Sequence, residues 1–325
     1  MGPNGTRPYE RILVPLDGSA TAEEIIPYVL RLARDFNFSI TLFHVLRGRG
    51  KGQADEGFIF DDGFRAELKT LAGEYLARVA KRLRSQGLTV NTVVAFGSVA
   101  TRIGGFAKRN RYDLIAMSTR GHSGVKRWAY GSIANKVLHS TDLPLLLIRP
   151  ERTKESLPEN GSFQKVLVPL DGSELAEAVL PTVRMLSTKA GYDLTFMRVV
   201  SPVSIAAGIG GLGVSFPSHY LADTADIDKH YKEIAADYLK GLKWELMAMG
   251  LTPEAMVAEG DPAEQIINMS QQMDRPLIVM ATHGRSGVSR WVLGSVTDRV
   301  LRGCSNPVLL IHPQKSAASK WNADA

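Results

Sequence analysis

The chain has 325 residues, 44% hydrophobic and 22% charged, which allows two domains and excludes the disordered and fibrous classes. A formal net charge of +6 leaves anionic partners open without choosing among nucleotides, nucleic acid and membrane surfaces. The single cysteine, Cys304, excludes an internal disulfide and no Cys/His cluster offers a zinc site; residues 1–9 are polar and no apolar run approaches the roughly 20 residues of a bilayer span, so a cytoplasmic protein is expected.

The first apolar run, residues 12–16, ends in Asp17-Gly-Ser19 and reads as a buried parallel strand. A helix follows, with Ser19 as its N-cap and Ala22, Ile25, Ile26, Val29 and Ala33 on one face. Residues 39–46 form a second strand. Residues 64–86 form a long amphipathic helix that presents Leu68, Leu71, Tyr75, Val79 and Leu83 and stops at Gly87. A strand at 89–95, a helix at 99–110, a strand at 112–118, a helix from 131 to 139 and a strand at 143–148 complete the order. Strands alternating with helices give a parallel sheet covered on both faces, with ligands at the carboxyl ends of the strands where their order reverses.

The second half repeats the first. Arg11-Ile-Leu-Val-Pro-Leu-Asp-Gly-Ser19 recurs as Lys165-Val-Leu-Val-Pro-Leu-Asp-Gly-Ser173. Residues 114–150 align without a gap to residues 277–313 and are identical at roughly half of the positions, which fixes a duplicated domain. The expected organisation is a domain at 1–150, a polar linker at 151–162, a domain at 163–313 and a tail at 314–325. The expected fold class is α/β, two tandem open parallel five-stranded sheets with helices on both faces, Rossmann-like in type.

The chemistry concentrates after the fourth strand of each half. Residues 118–132 contain Gly121 and, after nine intervening residues, Gly131-Ser132; residues 281–295 contain Gly284 and Gly294-Ser295 at the same spacing. The first glycine of each segment lets the chain leave the strand sharply and bring backbone close to a ligand. Gly-Ser at a helix start offers N–H groups and a hydroxyl at the positive end of the macrodipole, a phosphate site. Arg120, Lys126 and Arg127 add positive charge in the first half, His283, Arg285 and Arg290 in the second.

This pattern resembles the universal stress protein family, whose ATP-binding members carry Gly-x-x-Gly-(nine residues)-Gly-Ser/Thr after the fourth strand. The likeness covers residues 8–150 and 163–313, and rests on the Val-Pro-Leu-Asp-Gly-Ser start, the glycine segment and the closing apolar strand taken together. It implies the adenine nucleotide alpha-hydrolase-like variety of the fold and ATP as ligand, with ADP, AMP and accompanying Mg2+ compatible. Asp17 and Asp171, with Pro15 and Pro169 beside them, would meet adenosine. Val45 and Val199 would bond adenine through their backbones, and Gly97 and Gly260 would border the pocket. Met117, Ser118, Arg120, Gly121, Gly131 and Ser132 would complete the first site around the phosphates; Met280, Ala281, His283, Gly284, Gly294 and Ser295 would complete the second. One departure stands out: the family's first glycine is Ser118 in one copy and Ala281 in the other.

Other features carry duller readings. Trp128 and Trp291 fall at equal positions and read as packing residues. Gly208-Ile-Gly-Gly-Leu-Gly213 matches a dinucleotide fingerprint but lies past its strand and has no first-half counterpart, so it reads as a loop. His44, replaced by Arg198 in the second half, reads as a core or pocket-edge residue. No Walker lysine motif, Gly-x-Ser-x-Gly elbow or metal-ligand cluster occurs, so no catalytic or metal-binding residue is assigned and slow ATP hydrolysis is the most expected of it. The resemblance implies a nucleotide-dependent regulator in the stress response, with an adenine nucleotide and a protein of unspecified identity as partners. The alternative is a scaffold with non-functional sites acting by protein contacts; nucleic acid is disfavoured, since neither a recognition helix nor an aromatic RNA platform is evident. In the family single domains pair through their last strands, which implies an intrachain pseudo-dimer through residues 143–148 and 308–311, with a homodimer of the whole chain left open.

Overall fold

The structure is a computed structural model and describes residues 9–47, 62–119, 131–150, 163–202, 218–283 and 293–313. The chain divides into two compact units, Met1–Ser162 with Pro307–Leu310, and Phe163–Asn306 with Ile311–Ala325. Among the described residues no helix is long and apolar enough to cross a membrane.

The first unit runs β1 (Arg11–Pro15), α1 (Ala20–Glu23), α2 (Ile26–Phe36), β2 (Ser39–Leu46), α3 (Asp62–Arg84), β3 (Val90–Phe96), α4 (Val99–Arg109), β4 (Leu114–Ser118), α5 (Ser132–Ser140) and β5 (Leu145–Ile148). The second runs β6 (Lys165–Pro169), α6 (Glu174–Glu177), α7 (Leu180–Ala190), β7 (Asp193–Val200), α8 (Ser218–Ala248), β8 (Glu254–Glu259), α9 (Pro262–Gln272), β9 (Leu277–Ala281) and α10 (Ser295–Gly303). The last strand, β10 (Val308–Ile311), falls through residues 308–310 in the first unit.

Sheet order in the first unit is β3-β2-β1-β4-β5-β10. The first five strands are parallel; β10 is antiparallel to β5, with Val308 opposite Leu147 and Leu310 opposite Leu145. The second unit repeats the arrangement as β9-β6-β7-β8, all parallel. The central strands are Ile/Leu/Val runs buried on both faces, as a sheet sandwiched between helices requires. From β1 the chain builds to one side through β2 and β3 and then returns to the other side for β4, so the order reverses at the β1/β4 pair. The register between these two strands holds at Ile12 with Leu114 and Leu13 with Ile115, while the strands run on to Pro15 and Ser118. That reversal opens the crevice of the fold at the carboxyl ends of β1 and β4, and in the second unit of β6 and β9.

Three expectations need correction. The helix expected after Ser19 is two: Pro27 sits in the first turn of α2, and its missing N–H ends α1 at Glu23 and restarts the helix at Ile26. Ile25, at the break, is still fully buried. The long helix α3 buries Ala72, Leu76, Val79, Ala80 and Leu83, whereas Leu71 is 54% exposed. A period of 3.6 counted back from Leu83 passes through 79, 76 and 72, one step from the larger Leu71 and Tyr75. The fourth strand begins at Leu114, because Arg111 takes a positive φ of 54° and Tyr112 turns inward to donate its hydroxyl to Thr41 Oγ1 at 2.8 Å.

Candidate functional site

Each crevice begins where β1 or β6 ends. Beyond Pro15, the Leu16 N–H bonds the Phe43 carbonyl at 2.9 Å and the chain then leaves the sheet. Asp17 Oδ1 accepts from the Ser19 N–H at 3.0 Å and from the Ser19 hydroxyl at 2.5 Å. Ser19 Oγ in turn accepts from the Ala22 N–H at 3.1 Å and caps α1. The second unit repeats this chain of bonds: Asp171 Oδ1 holds the Ser173 N–H at 2.9 Å and its hydroxyl at 2.6 Å, and Ser173 caps α6 through the Ala176 N–H at 3.2 Å. One oxygen of each aspartate is therefore engaged in shaping the turn.

β2 continues past the end of β1. The Leu46 carbonyl accepts from the Gly97 N–H on the β3 side, and the Phe43 carbonyl faced β1, so by strand alternation the N–H and C=O of Val45 face the side on which β1 has ended. Val199 stands the same way beside β6, between the Met197 carbonyl that bonds Leu170 and the Val200 carbonyl that bonds Gly260. Gly97 and Gly260 have φ of 136° and 131°, which side-chain-bearing residues rarely adopt, and they steer the chain from β3 and β8 into the next helix.

The other wall is the start of α5 or α10. Gly131 and Gly294 are the N-cap residues, and neither helix start has a side-chain cap bond, in contrast to α1, α6 and α9, which Ser19, Ser173 and Asp261 cap. The Gly131 N–H is bound to the Thr119 carbonyl at 2.7 Å and the Gly294 N–H to the Thr282 carbonyl at 2.9 Å, which pins each helix start to the end of β4 or β9. A Cβ on Gly294 would stand 3.2 Å from that carbonyl oxygen and 3.7 Å from His283 Cα, so close approach of backbone explains this glycine. Ser132 and Ser295 are the first helical residues and are exposed. Met117 and Met280 are buried in β4 and β9. Ser118 and Ala281 are also buried, in strand conformation without positive φ, so a small side chain is accommodated where the family has glycine. Arg120, Gly121 and Gly284 lie outside the described residues, as do Lys126, Arg127, Trp128, Arg285, Arg290, Trp291 and the glycines from Gly208 to Gly213.

The structure also joins residues that sequence reading missed. The Tyr75 hydroxyl on α3 donates to Glu23 Oε1 on α1 at 3.1 Å, and the Tyr238 hydroxyl on α8 donates to Glu177 Oε1 on α6 at 2.8 Å. Burial pushes both phenols well above their usual range. The hydrogen bond to the glutamate, its charge and the charge of Asp17 or Asp171 add to this, against the opposing pull of Arg82 or Arg198. Arg82 pairs with Glu23 at 2.8 Å, while the Arg198 guanidinium lies 4.9 Å from the Tyr238 ring centroid and against the backbone of Gly172. His44 packs edge-on to Tyr75 at 6.2 Å, and its replacement Arg198 packs on Tyr238, the counterpart of Tyr75. The signal was available: Glu23 aligns with Glu177 and Tyr75 with Tyr238 in the duplicated halves.

A phenol raised in the folded state contributes stability that is fully present below its ordinary pKa near 10 and is lost as the pH rises through the raised value. Tyr75 and Tyr238 are therefore expected to stay protonated in folded protein at pH 11. Phenolate absorbance should show that Tyr75→Phe and Tyr238→Phe each remove one late-ionising group and leave the early phase unchanged; loss from the early phase instead would contradict the pairing.

The profile of the universal stress protein family matches residues 8–149 and again 162–312. The chain belongs to that family. Universal stress protein MJ0577 of Methanocaldococcus jannaschii is 25% identical over 162 residues, 47% of this chain and 98% of that protein. A universal stress protein of Mycolicibacterium smegmatis is 23% identical over 323 residues, 93% of this chain and 97% of its own length, so the tandem arrangement has full-length relatives. Among solved structures, a universal stress protein from Archaeoglobus fulgidus superposes with a TM-score of 0.68 at 20% identity, covering 94% of this chain and 98% of the other, a likeness of fold. The family match spans both crevices, each built from the same positions of a universal stress protein repeat.

Proposed function

We propose that each unit binds an adenine nucleotide, ATP in the first instance, and that the bound nucleotide sets the state in which the protein meets a protein partner in the stress response. The observation that carries this reading is the repeated start of α5 and α10: glycine N-caps without a side-chain cap bond, pinned to the ends of β4 and β9 at the point where the strand order reverses. The first-turn amides of these nine-residue helices and the hydroxyls of Ser132 and Ser295 suit a phosphate tail. Gly121 and Arg120, with Gly284 and His283 in the second unit, would complete the phosphate ends. At the other end of each crevice, Val45 and Val199 offer backbone groups to adenine, Asp17 and Asp171 face adenosine beside Pro15 and Pro169, and Gly97 and Gly260 border the base.

The arrangement suits binding better than fast chemistry. Phosphoryl transfer asks for a positioned base and a metal with carboxylate ligands. Asp17 and Asp171 stand at the adenosine end, each with an oxygen occupied by its own turn. Mg2+ would arrive with the nucleotide, and slow hydrolysis is the most that this layout supports.

The test is a mass spectrum of whatever is released when freshly purified protein is denatured, followed by calorimetric titration of nucleotide-stripped protein with ATP. Adenine nucleotide in the spectrum and a stoichiometry of two per chain are expected. No affinity at millimolar ATP would overturn the reading and leave a scaffold that acts through protein contacts.

A further inference from the structure

The two crevices differ at the carboxyl end of β9. Thr282, which follows β9 and is 1% exposed, has its hydroxyl oxygen 3.0 Å from His283 Nδ1 and 3.4 Å from His312 Nδ1. The threonine backbone is itself fixed at both ends: its N–H bonds the Ile311 carbonyl at 2.9 Å, and its carbonyl receives the Gly294 N–H at 2.9 Å. Two imidazoles are thus gathered on one oxygen beside the start of α10, with the Nε2 atom of each ring buried. In sequence, the first repeat carries Arg120 and Arg149 at the positions aligned with His283 and His312, and Thr119 at that of Thr282.

We propose that the second unit holds its nucleotide tail through protonation of His283 and His312, so that this site tightens as pH falls while the first stays level. The proposal rests on the nucleotide reading given above. Histidine is the side chain whose ordinary pKa, about 6.5, lies within the physiological range, whereas arginine keeps its charge throughout. A hydroxyl has two lone pairs and one rotatable proton, so Thr282 can donate to a neutral Nδ1 or accept from two imidazolium N–H groups. It holds both rings through every protonation state. Two cations on one oxygen, next to the positive end of α10, disfavour one another. A polyanion in the crevice reverses this balance, so its binding and proton uptake must favour each other by the same factor.

Among the described residues, the charged side chains of β9, β10 and α10 are either absent or paired with other groups. β9 and β10 contribute no ionisable side chain, being Leu-Ile-Val-Met-Ala and Val-Leu-Leu-Ile. On α10, Asp298 pairs with Arg302 at 2.8 Å and Arg299 with Asp261 at 2.6 Å. Asp261 is opposed by burial yet held below the usual carboxylate range by Arg299 and by the N–H groups of Glu264 and Ala263, so it stays ionised through the neutral range.

The experiment uses the full chain with one crevice closed at a time, by Ser132→Glu to isolate the second site and Ser295→Glu to isolate the first. ATP affinity is titrated calorimetrically from pH 8 to pH 5.5 in buffers of different ionisation enthalpy. The terminal phosphate of ATP titrates in the same range, and the first site serves as the control for it. Relative to that control, the second site should tighten by roughly tenfold for each pKa unit that ATP adds to the pair, with net proton uptake. His283→Arg with His312→Arg, which copies the residue types of the first repeat, should abolish the difference between the two pH profiles. Imidazole nitrogen shifts of the unsubstituted protein supply a readout independent of any variant, and should move to protonated values at pH 7 when ATP is added. Parallel pH profiles at the two sites, or a difference that survives the double arginine variant, would overturn the proposal while leaving the nucleotide reading intact. Absence of ATP binding at every pH and at both sites would remove the two together.

Discussion

Ser132→Glu and Ser295→Glu should each cost the unit that carries it about fivefold to several hundredfold in ATP affinity without weakening the fold. Both serines are exposed first residues of helices whose glycine caps supply no side chain. A carboxylate in a first helical turn complements the macrodipole and adds about 0.3–1 kcal/mol of stability. Set about 4 Å from a phosphate, the same charge opposes binding by roughly 1–4 kcal/mol, according to how far water screens the pair, and each 1.4 kcal/mol is a factor of about ten. Ligand affinity and thermal stability are thus expected to move in opposite directions, a combination that general damage to the domain does not produce. Calorimetry and thermal melting measure the two quantities on the same samples. Unchanged affinity in both variants would place the phosphates elsewhere.

The second large effect is expected at Gly97 and Gly260. With φ of 136° and 131°, alanine at either position would be held where L side chains rarely go, at about 1–3 kcal/mol. The new Cβ would also stand 2.7 Å from Arg102 Nε or 2.9 Å from Gln265 Nε2; both belong to flexible side chains that can withdraw, so the backbone dominates the cost. For a unit of this size each kcal/mol lowers Tm by about 2–4 °C. Gly73→Ala provides the opposite sign: it lies within α3 with nothing within 4 Å of the added carbon, and should gain about 0.5–1 kcal/mol from helix propensity. A melting temperature that fell equally in all three variants would show that backbone conformation is not what distinguishes these glycines.

Much of this was readable in the residues because the chain states its plan twice. The buried strands carry unbroken Ile, Leu and Val between turn residues, and β2 runs from Ser39 to Leu46 as expected. The break at Pro27 was legible too, although an apolar stripe crossing it suggested continuity. The buried face of α3 is hard to read from sequence because Leu68 and Leu71 are larger than Ala72, while contact with the sheet selects by angle and accepts the small residue. The site divides in the same way. Asp17, Gly131 and their counterparts sit in short contiguous motifs that local spacing reveals. Tyr75 and Glu23 meet across 52 positions, and His283 and His312 meet on Thr282 from the ends of two different strands. Such meetings depend on the order of strands in the sheet, which no local period encodes.

The sheet of the first unit takes its final strand from residues 308–310, near the far end of the chain. A ribosome adding about 5–20 residues per second therefore leaves Leu145–Ile148 with an open flank for on the order of ten seconds while the intervening repeat is made. Truncation after the first repeat would make that temporary state permanent. Half-length fragments should seek neighbours along this edge, joining one another or clumping, where the intact polypeptide has an in-chain strand to close it.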